Sequence, residues 1–184
     1  IPVPTSYMAY HSDYDFVGGY DWREGAGILH VADHHVSPGK KQWTWGCGEF
    51  GQAWDRNLTD EDGPYIELMT GVFTDNQPDL TWLAPYAGKR FTQYFMPYKA
   101  VGEVKCASKD IVTGLTVENG QANIKVYASR PLANTRITLA AEGKVLLDER
   151  ADLSPTQLYE KQLAMAAPAH KLTLTVAAQG TPPV

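Results

Sequence analysis

The chain has 184 residues, with 16 basic and 21 acidic side chains and a formal net charge of −5. A protein that binds nucleic acid through its phosphates needs an excess of lysine and arginine, so this charge argues against such a partner. The hydrophobic content of 43% is ordinary for a globular protein. No apolar run approaches the roughly 18 residues that cross a bilayer. We expect a folded protein without nucleic-acid or membrane partners.

Aromatic residues are distributed unevenly along the chain. All five Trp, all five Phe and eight of the ten Tyr precede residue 100, and only Tyr127 and Tyr159 follow it. This shift predicts two domains, 1–106 and 107–184, with the chemistry in the first. The first residue is not Met, so we expect the sequence to be part of a longer polypeptide. Two cysteines form no disulfide framework, which favours reduced thiols and a cytoplasmic location.

Short strands are predicted through the first domain, at residues 16–20, 27–35, 42–45, 64–71 and 91–98. In the strand 27–35, alternation places His30 and His34 on one face and Leu29 and Val31 on the other. Polar connections at 55–63 and 74–79 are typical of binding loops. We expect no helix of ordinary length in this domain.

The second domain shows apolar alternation in several short segments, for example at Ala122, Ile124, Val126 and Ala128. Hairpin turns are predicted at 118–121 and 142–144. Such regularly spaced strands favour a small immunoglobulin-like β-sandwich, so the whole chain is predicted to be all-β. The stretch 154–166 fits either a helix or a strand.

Two patterns suggest a cofactor or a metal, and neither is specific. Gly46–Gly51 matches the dinucleotide-binding G-x-G-x-x-G, but the residues that follow are too short and polar a run to predict the required helix. His30 and His34 lie about 13 Å apart on a strand, too far to share one zinc ion. We predict no cofactor and no metal site, with hydrolysis at a His-bound metal as the weakest alternative.

Three residues suggest a binding site. Glu67 lies at the centre of a predicted strand, between Ile66 and Leu68, which we expect in the core; a carboxylate there needs a partner or a pocket. Trp43 and Trp45 point to the same side of their strand. They form either a stacking wall for a sugar ring or ordinary core packing.

Residues around Glu67 resemble the closing strands of aldose 1-epimerases (galactose mutarotases). The similarity comprises Tyr65-Ile66-Glu67-Leu68, then Asp75-Asn76-Gln77-Pro78, then Phe91-Thr92-Gln93-Tyr94. It implies that Glu67 is the general base at the anomeric hydroxyl, with Tyr65, Asp75, Asn76 and Gln77 contributing to the sugar site. The acid in that family comes from strands earlier than any present here, so His30 or His34 would have to replace it.

Nearly the whole chain resembles a bacterial family described as domain of unknown function 5107. The similarity comprises 6–11, 27–35, 38–46 and 63–71. It implies a mutarotase-like β-sandwich, a small β-domain and then tetratricopeptide repeats. The chain would then hold the second half of a mutarotase-like supersandwich and the β-domain that follows it.

Together these observations predict a carbohydrate-binding or carbohydrate-processing segment, whether or not it is an enzyme. Glu67 would act as base, His34 or His30 as polar partner, and Trp43 with Trp45 as stacking wall. The expected partners are a saccharide and the remainder of the same polypeptide. The alternative is a non-catalytic β scaffold that presents a surface to another protein.

Overall fold

The computed structural model describes residues 1–76, 79–165 and 169–184. Nearly all regular structure in these ranges is β, and the sheets are antiparallel wherever their register is described, which confirms the predicted all-β class. The elements are β1 (Thr5–Met8), β2 (Phe16–Asp21), β3 (Ala26–Val31), β4 (Gly39–Thr44), α1 (Glu49–Leu58), β5 (Ile66–Gly71), β6 (Tyr94–Lys99), β7 (Cys106–Ala107), β8 (Ile111–Glu118), β9 (Gln121–Ala128), β10 (Leu132–Ala141), β11 (Lys144–Leu153), β12 (Tyr159–Ala164) and β13 (Leu172–Ala177).

The chain forms two compact units, and each consists of two separate segments of the sequence. The first unit comprises Ile1–Gly18 and Ala32–Tyr94, and the second comprises Gly19–Val31 and Phe95–Val184. The segment that holds β3 therefore belongs with the second half of the chain. The predicted domain boundary at 106–107 stays a prediction.

The first unit contains a three-stranded antiparallel sheet in the order β1-β4-β5. Trp43 in the central strand lies opposite Ser6 of β1 and Glu67 of β5. The Gln93 side chain supports the far end of β5, because its amide nitrogen donates to the Thr70 carbonyl at 2.9 Å and to the Ser37 hydroxyl at 3.3 Å.

The expectation that the first domain contains no ordinary helix is wrong. Helix α1 begins within the glycine motif, with Gly48 as its N-cap and Gly51 in its first turn. Gly51 is required for packing, because a Cβ atom there would overlap the Gly46 carbonyl oxygen and lie 2.7 Å from that of Trp45. The helix packs this closely against the preceding backbone because residue 51 has no side chain. Sequence reasoning missed the helix because this packing, and not local propensity, stabilises it.

The second unit contains a β-sandwich, formed by the sheets β12-β9-β8-β7 and β11-β10-β13. Its core takes residues from both sheets, with the predicted alternation of β9 confirmed by the complete burial of Ala122, Ile124 and Val126. Across the sandwich, β10 and β13 contribute further buried apolar residues, namely Ile137, Leu139 and Val176.

Both predicted hairpin turns are confirmed. Asn119-Gly120 connects β8 to β9 and Glu142-Gly143 connects β10 to β11, and all four residues have positive φ. Two left-handed residues in a two-residue loop match the twist of the flanking strands. The open question at 154–166 is resolved as a strand, because the regular element within its described residues is the strand β12; residue 166 lies outside the described residues.

The third sheet has the order β2-β3-β6. The predicted strand 27–35 is too long, since β3 ends at Val31 and residues 34–36 form a turn. Leu29, His30 and Val31 are all buried, so both faces of β3 are covered towards its end. Within the described residues, no helix has the length and apolar character to cross a membrane.

The contact at Gly51 gives a stability prediction. Although Ala favours a helix over Gly by about 1 kcal/mol, we expect Gly51→Ala to lower the free energy of unfolding by about 1–3 kcal/mol, because the methyl group must displace backbone atoms. Urea unfolding followed by tryptophan fluorescence measures this loss. The control is Asn57→Ala at an exposed position of α1. A Gly51→Ala protein as stable as the parent would contradict the packing role.

Candidate functional site

The face of the first sheet that carries Trp43 also carries Glu67. Residues directly opposite each other in an antiparallel pair project to the same side, with Cβ atoms about 5 Å apart. The described register therefore puts the Trp43 indole beside the Glu67 carboxylate, with Ser6 on the other flank. All three are accessible in part or fully. We call these residues, with Lys41 on the same face, the Trp43–Glu67 face.

Glu67 is half-buried, but its surroundings differ from those expected. Ile66 is 54% exposed and Leu68 is only partly buried, so the expectation that both lie in a closed core is wrong. Among the described residues, the Glu67 carboxylate makes no hydrogen bond and no ion pair. Because it is partly exposed, water can solvate it in the absence of a partner. It is available to a ligand.

Aromatic side chains continue the face beyond the end of β4. The Trp45 ring meets Trp43 edge to face at 5.3 Å and stacks on Trp54 of α1 at 4.5 Å, with planes 12° apart. Phe50 contacts both Trp45 and Trp54. Whether these indoles form a stacking wall for a sugar or ordinary packing stays a prediction. Trp45 is packed among rings, whereas Trp43 lies at the edge of this cluster beside Glu67.

The loop after β5 brings Asn76 to the same sheet. Lys41 donates a hydrogen bond from its ammonium group to the Asn76 side-chain oxygen at 3.0 Å. The loop lies close to the start of β4, since a Cβ atom on Gly39 would lie within 2.9 Å of the Thr74 and Asp75 carbonyl oxygens. The backbone of Asp75 therefore lies next to the start of β4. Gln77 falls outside the described residues.

A cavity of about 380 Å³ opens on the opposite face of the sheet. Gln42 and Thr44, which alternate with Trp43 along β4, line it together with residues of α1, among them Asp55. Tyr65 lies next to this region, because its backbone N–H donates to the Asp55 carboxylate at 2.9 Å. The sheet therefore separates this cavity from the Trp43–Glu67 face. Sequence alternation alone could have predicted that separation.

His34 lies in the turn after β3 and pairs with Asp15. One carboxylate oxygen of Asp15 lies 2.7 Å from the His34 ring nitrogen Nδ1 and accepts the His34 backbone N–H at 2.8 Å. The ring is 25% exposed. A carboxylate at Nδ1 orients a histidine and leaves Nε2 for proton transfer. No hydrogen bond joins His34 to Glu67 in the described part of the chain.

The turn also brings His35 against His34, which the predicted strand would have kept on opposite faces. The two rings lie 3.9 Å apart, and one potential ligand atom from each of Asp33, His34 and His35 falls within 4.8 Å of the others. Both Nδ1 atoms are occupied by carboxylates, at Asp15 and Asp33. The absence of a metal site stays a prediction.

His30 belongs to the second unit, whereas the other predicted site residues belong to the first. It is completely buried in β3 and its ring meets Phe95 edge to face at 5.2 Å. Full burial places it in the packing of that unit, and its role as a polar partner stays a prediction.

Lys40 is the polar residue that sequence reasoning missed. It is 1% exposed, and its ammonium group donates to the Ser37 carbonyl at 3.1 Å. Burial lowers the pKa of Lys40, while the nearby Asp15 and Asp33 carboxylates act in the opposite direction. Nothing in a Pro-Gly-Lys-Lys stretch distinguishes this lysine from the more accessible Lys41. A buried cation beneath the His34 turn explains why two carboxylates gather there.

Comparison with protein families identifies two matches. Residues 4–99 match the model described as domain of unknown function (DUF5107), which covers more than half of the chain. The chain belongs to this family. Residues 106–182 match the model described as YphG-like protein, second domain. No solved structure matches the chain.

The buried Lys40 predicts how stability depends on pH. Because its folded pKa lies below the ordinary 10.5, the folded protein releases this proton before the unfolded chain does. The free energy of unfolding should therefore rise with pH between the folded value and 10.5. In Lys40→Met this contribution should vanish. At pH 7, Lys40→Met should match or exceed the parent in stability, and Lys40→Ala should lose about 2 kcal/mol through the cavity.

Tryptophan fluorescence is a suitable measurement, since four of the five tryptophans lie in the first unit. Burial raises the pKa of Tyr98 to about 12, which favours its neutral form in the fold. Stability is therefore lost above the ordinary tyrosine value of about 10, and the comparison belongs below that pH. The exposed Lys99→Met serves as control. Parallel pH profiles for the parent and Lys40→Met would contradict the role of Lys40.

Proposed function

We propose that this member of the family binds saccharides on the Trp43–Glu67 face of the first sheet. The observation that carries the proposal is the register, which pairs an indole and a half-buried carboxylate across adjacent strands. An indole covers the apolar face of a sugar ring, and a carboxylate accepts its hydroxyl protons. Those are the two surfaces that a pyranose presents.

The Lys41–Asn76 pair completes the polar side of this proposed site. Lys41 lies two residues before Trp43 on the same strand, and hence on the same face. Its bond occupies the Asn76 oxygen and leaves the Asn76 amide nitrogen as a donor. A sugar hydroxyl beside Glu67 would then meet an acceptor on one side and donors on the other.

The proposed reaction is interconversion of sugar anomers, which the resemblance to aldose 1-epimerases supports. Glu67 would take the proton of the anomeric hydroxyl while an acid gives a proton to the ring oxygen. The bond between the ring oxygen and the anomeric carbon breaks, the aldehyde rotates, and closure returns both protons. His34, oriented by Asp15, is the proposed acid among the described residues, with an acid elsewhere in the polypeptide as the other source.

We infer that the first unit takes part in a mutarotase-like sandwich and that the second has the immunoglobulin-like form. The all-β sheets are compatible with both. The tetratricopeptide repeats implied by the family resemblance, and a cytoplasmic location, are likewise proposals about the whole protein.

One observation favours the alternative of a non-catalytic interaction module. Trp82 is 89% exposed, and Leu80 and Tyr86 in the same irregular segment are more than four-fifths exposed. Exposed apolar clusters often mark contact surfaces for other proteins. Under this alternative, no sugar raises the melting temperature of the protein, and Trp43→Ala affects stability alone.

The saccharide proposal is tested in the full-length protein with aldohexoses and disaccharides, first by thermal shift and then by titration calorimetry. We expect Trp43→Ala to weaken binding by about tenfold through loss of the stacked surface. We expect Glu67→Gln to leave binding nearly intact while anomer interconversion, followed by polarimetry with α-D-galactose and α-D-glucose, falls by about 100-fold or more.

Matched controls are available in the chain. Trp82→Ala removes an exposed indole elsewhere in the first unit, and Glu61→Gln removes an exposed carboxylate. Neither should change binding or turnover. Unchanged interconversion in Glu67→Gln would exclude Glu67 as the base, and the absence of any sugar-induced shift in melting temperature would favour the interaction module.

A further inference from the structure

A second cavity, of about 470 Å³, lies wholly within the second unit. Its size is in the range of small-molecule sites. The floor is the outer face of the sheet β12-β9-β8, whose inner face packs the sandwich core. One wall is the segment 20–22, and another is 100–103.

Uncharged polar side chains form a row across the floor. Asn123 of β9 lies opposite Thr116 of β8 on one side and opposite Gln162 of β12 on the other. Neighbouring strands are about 4.8 Å apart, so the row presents three hydrogen-bonding groups at that spacing. The contact from the Asn123 amide to the Thr116 hydroxyl, at 3.5 Å, is long, and both groups keep capacity for a ligand.

The wall above this row is an exposed indole held in a defined place. Trp22 is 72% exposed, yet Tyr20 meets its ring edge to face at 4.9 Å, and Tyr20 in turn lies beside Tyr98. On the other side the indole lies over Gly102, where an added Cβ atom would come within 3.3 Å of it. An indole that is fixed by its edges and open on its surface is a preorganised stacking group.

Charges around the cavity select against anions. Glu103, Glu118 and Glu160 line it, and Lys125 is the cationic residue among the lining side chains. Lys125 is already engaged, because it contacts Glu160 at 3.6 Å and donates to the Ala100 carbonyl at 3.1 Å. Glu118 makes no ion pair with any described residue. Carboxylates in this setting accept hydrogen bonds from hydroxyl groups and repel phosphates and uronates.

We propose that this cavity binds a neutral saccharide, which stacks one ring face on Trp22 and hydrogen-bonds to the row Thr116–Asn123–Gln162. The site uses none of the residues of the Trp43–Glu67 face and does not depend on the function proposed for it. It assigns sugar recognition to the half of the chain for which no chemistry was predicted.

The test is titration calorimetry of the full-length protein with methyl α-D-glucopyranoside, methyl β-D-galactopyranoside and lactose. Methyl glycosides lack a free anomeric hydroxyl, so they cannot be turned over by a mutarotase. We expect at least one of the three to bind, and Trp22→Ala and Gln162→Ala each to weaken that binding by at least tenfold. Trp82→Ala and Gln157→Ala, at exposed positions outside the cavity, are matched controls and should have no effect. D-glucuronate should bind more weakly than the neutral glycosides, and Glu118→Gln should reduce that difference.

The outcomes separate this site from the first one. If binding is lost in Trp22→Ala and kept in Trp43→Ala, the inference holds whatever happens at Glu67. If binding is lost in Trp43→Ala alone, the inference is wrong and the first proposal stands. Binding of the diamine putrescine through Trp22 without binding of the glycosides would replace the inference with a cation site. Failure of all three neutral probes to bind would also overturn it.

Discussion

The antiparallel register of β4 between β1 and β5 is the constraint on which the first unit's candidate chemistry depends. Strand side chains alternate, so a slip of one residue would move Trp43 to the side that holds the first cavity and would exchange it with Gln42. Interactions at both ends of the strand oppose such a slip. At the start of β4, the loop after β5 packs closely against Gly39 and fixes the position of that end. At the other end, α1 packs against the backbone of Trp45 and Gly46.

The second unit uses the same alternation for a different balance of forces. Every second residue of β9 is buried between the two sheets. The alternate residues face outward, do not contribute to the core, and can therefore be polar. At about 25 cal/mol per Å² of buried apolar surface, the inner face supplies the stability. The outer face is then free to carry amides, hydroxyls and carboxylates that would be costly inside.

Local patterns predicted those parts of the fold in which neighbours in sequence determine the outcome. The Asn119-Gly120 turn follows from the conformational preference of those two residues, and the burial of Ile124 and Val126 follows from alternation. Helix α1 escaped prediction because it depends on a backbone contact at Gly51 that propensity does not encode. His34 was misplaced for a related reason, since nothing in the apolar pattern marks the end of β3 at Val31. The pairing of Trp43 with Glu67 required the register, and the Trp22 cavity required contacts between distant segments.

The discontinuity of the second unit has a consequence for biosynthesis. The segment Gly19–Val31 leaves the ribosome before the residues with which it forms a compact unit, which begin at Phe95. Domains generally fold as their residues emerge, so the residues of the first unit can fold while this inserted segment still lacks its partners. Until synthesis has passed residue 95, Leu29, His30 and Val31, which are buried in the finished protein, remain without their later packing partners. The nascent chain therefore exposes a segment that is later buried. Slow translation of residues 32–94 would lengthen the time for which this segment can aggregate or bind a chaperone.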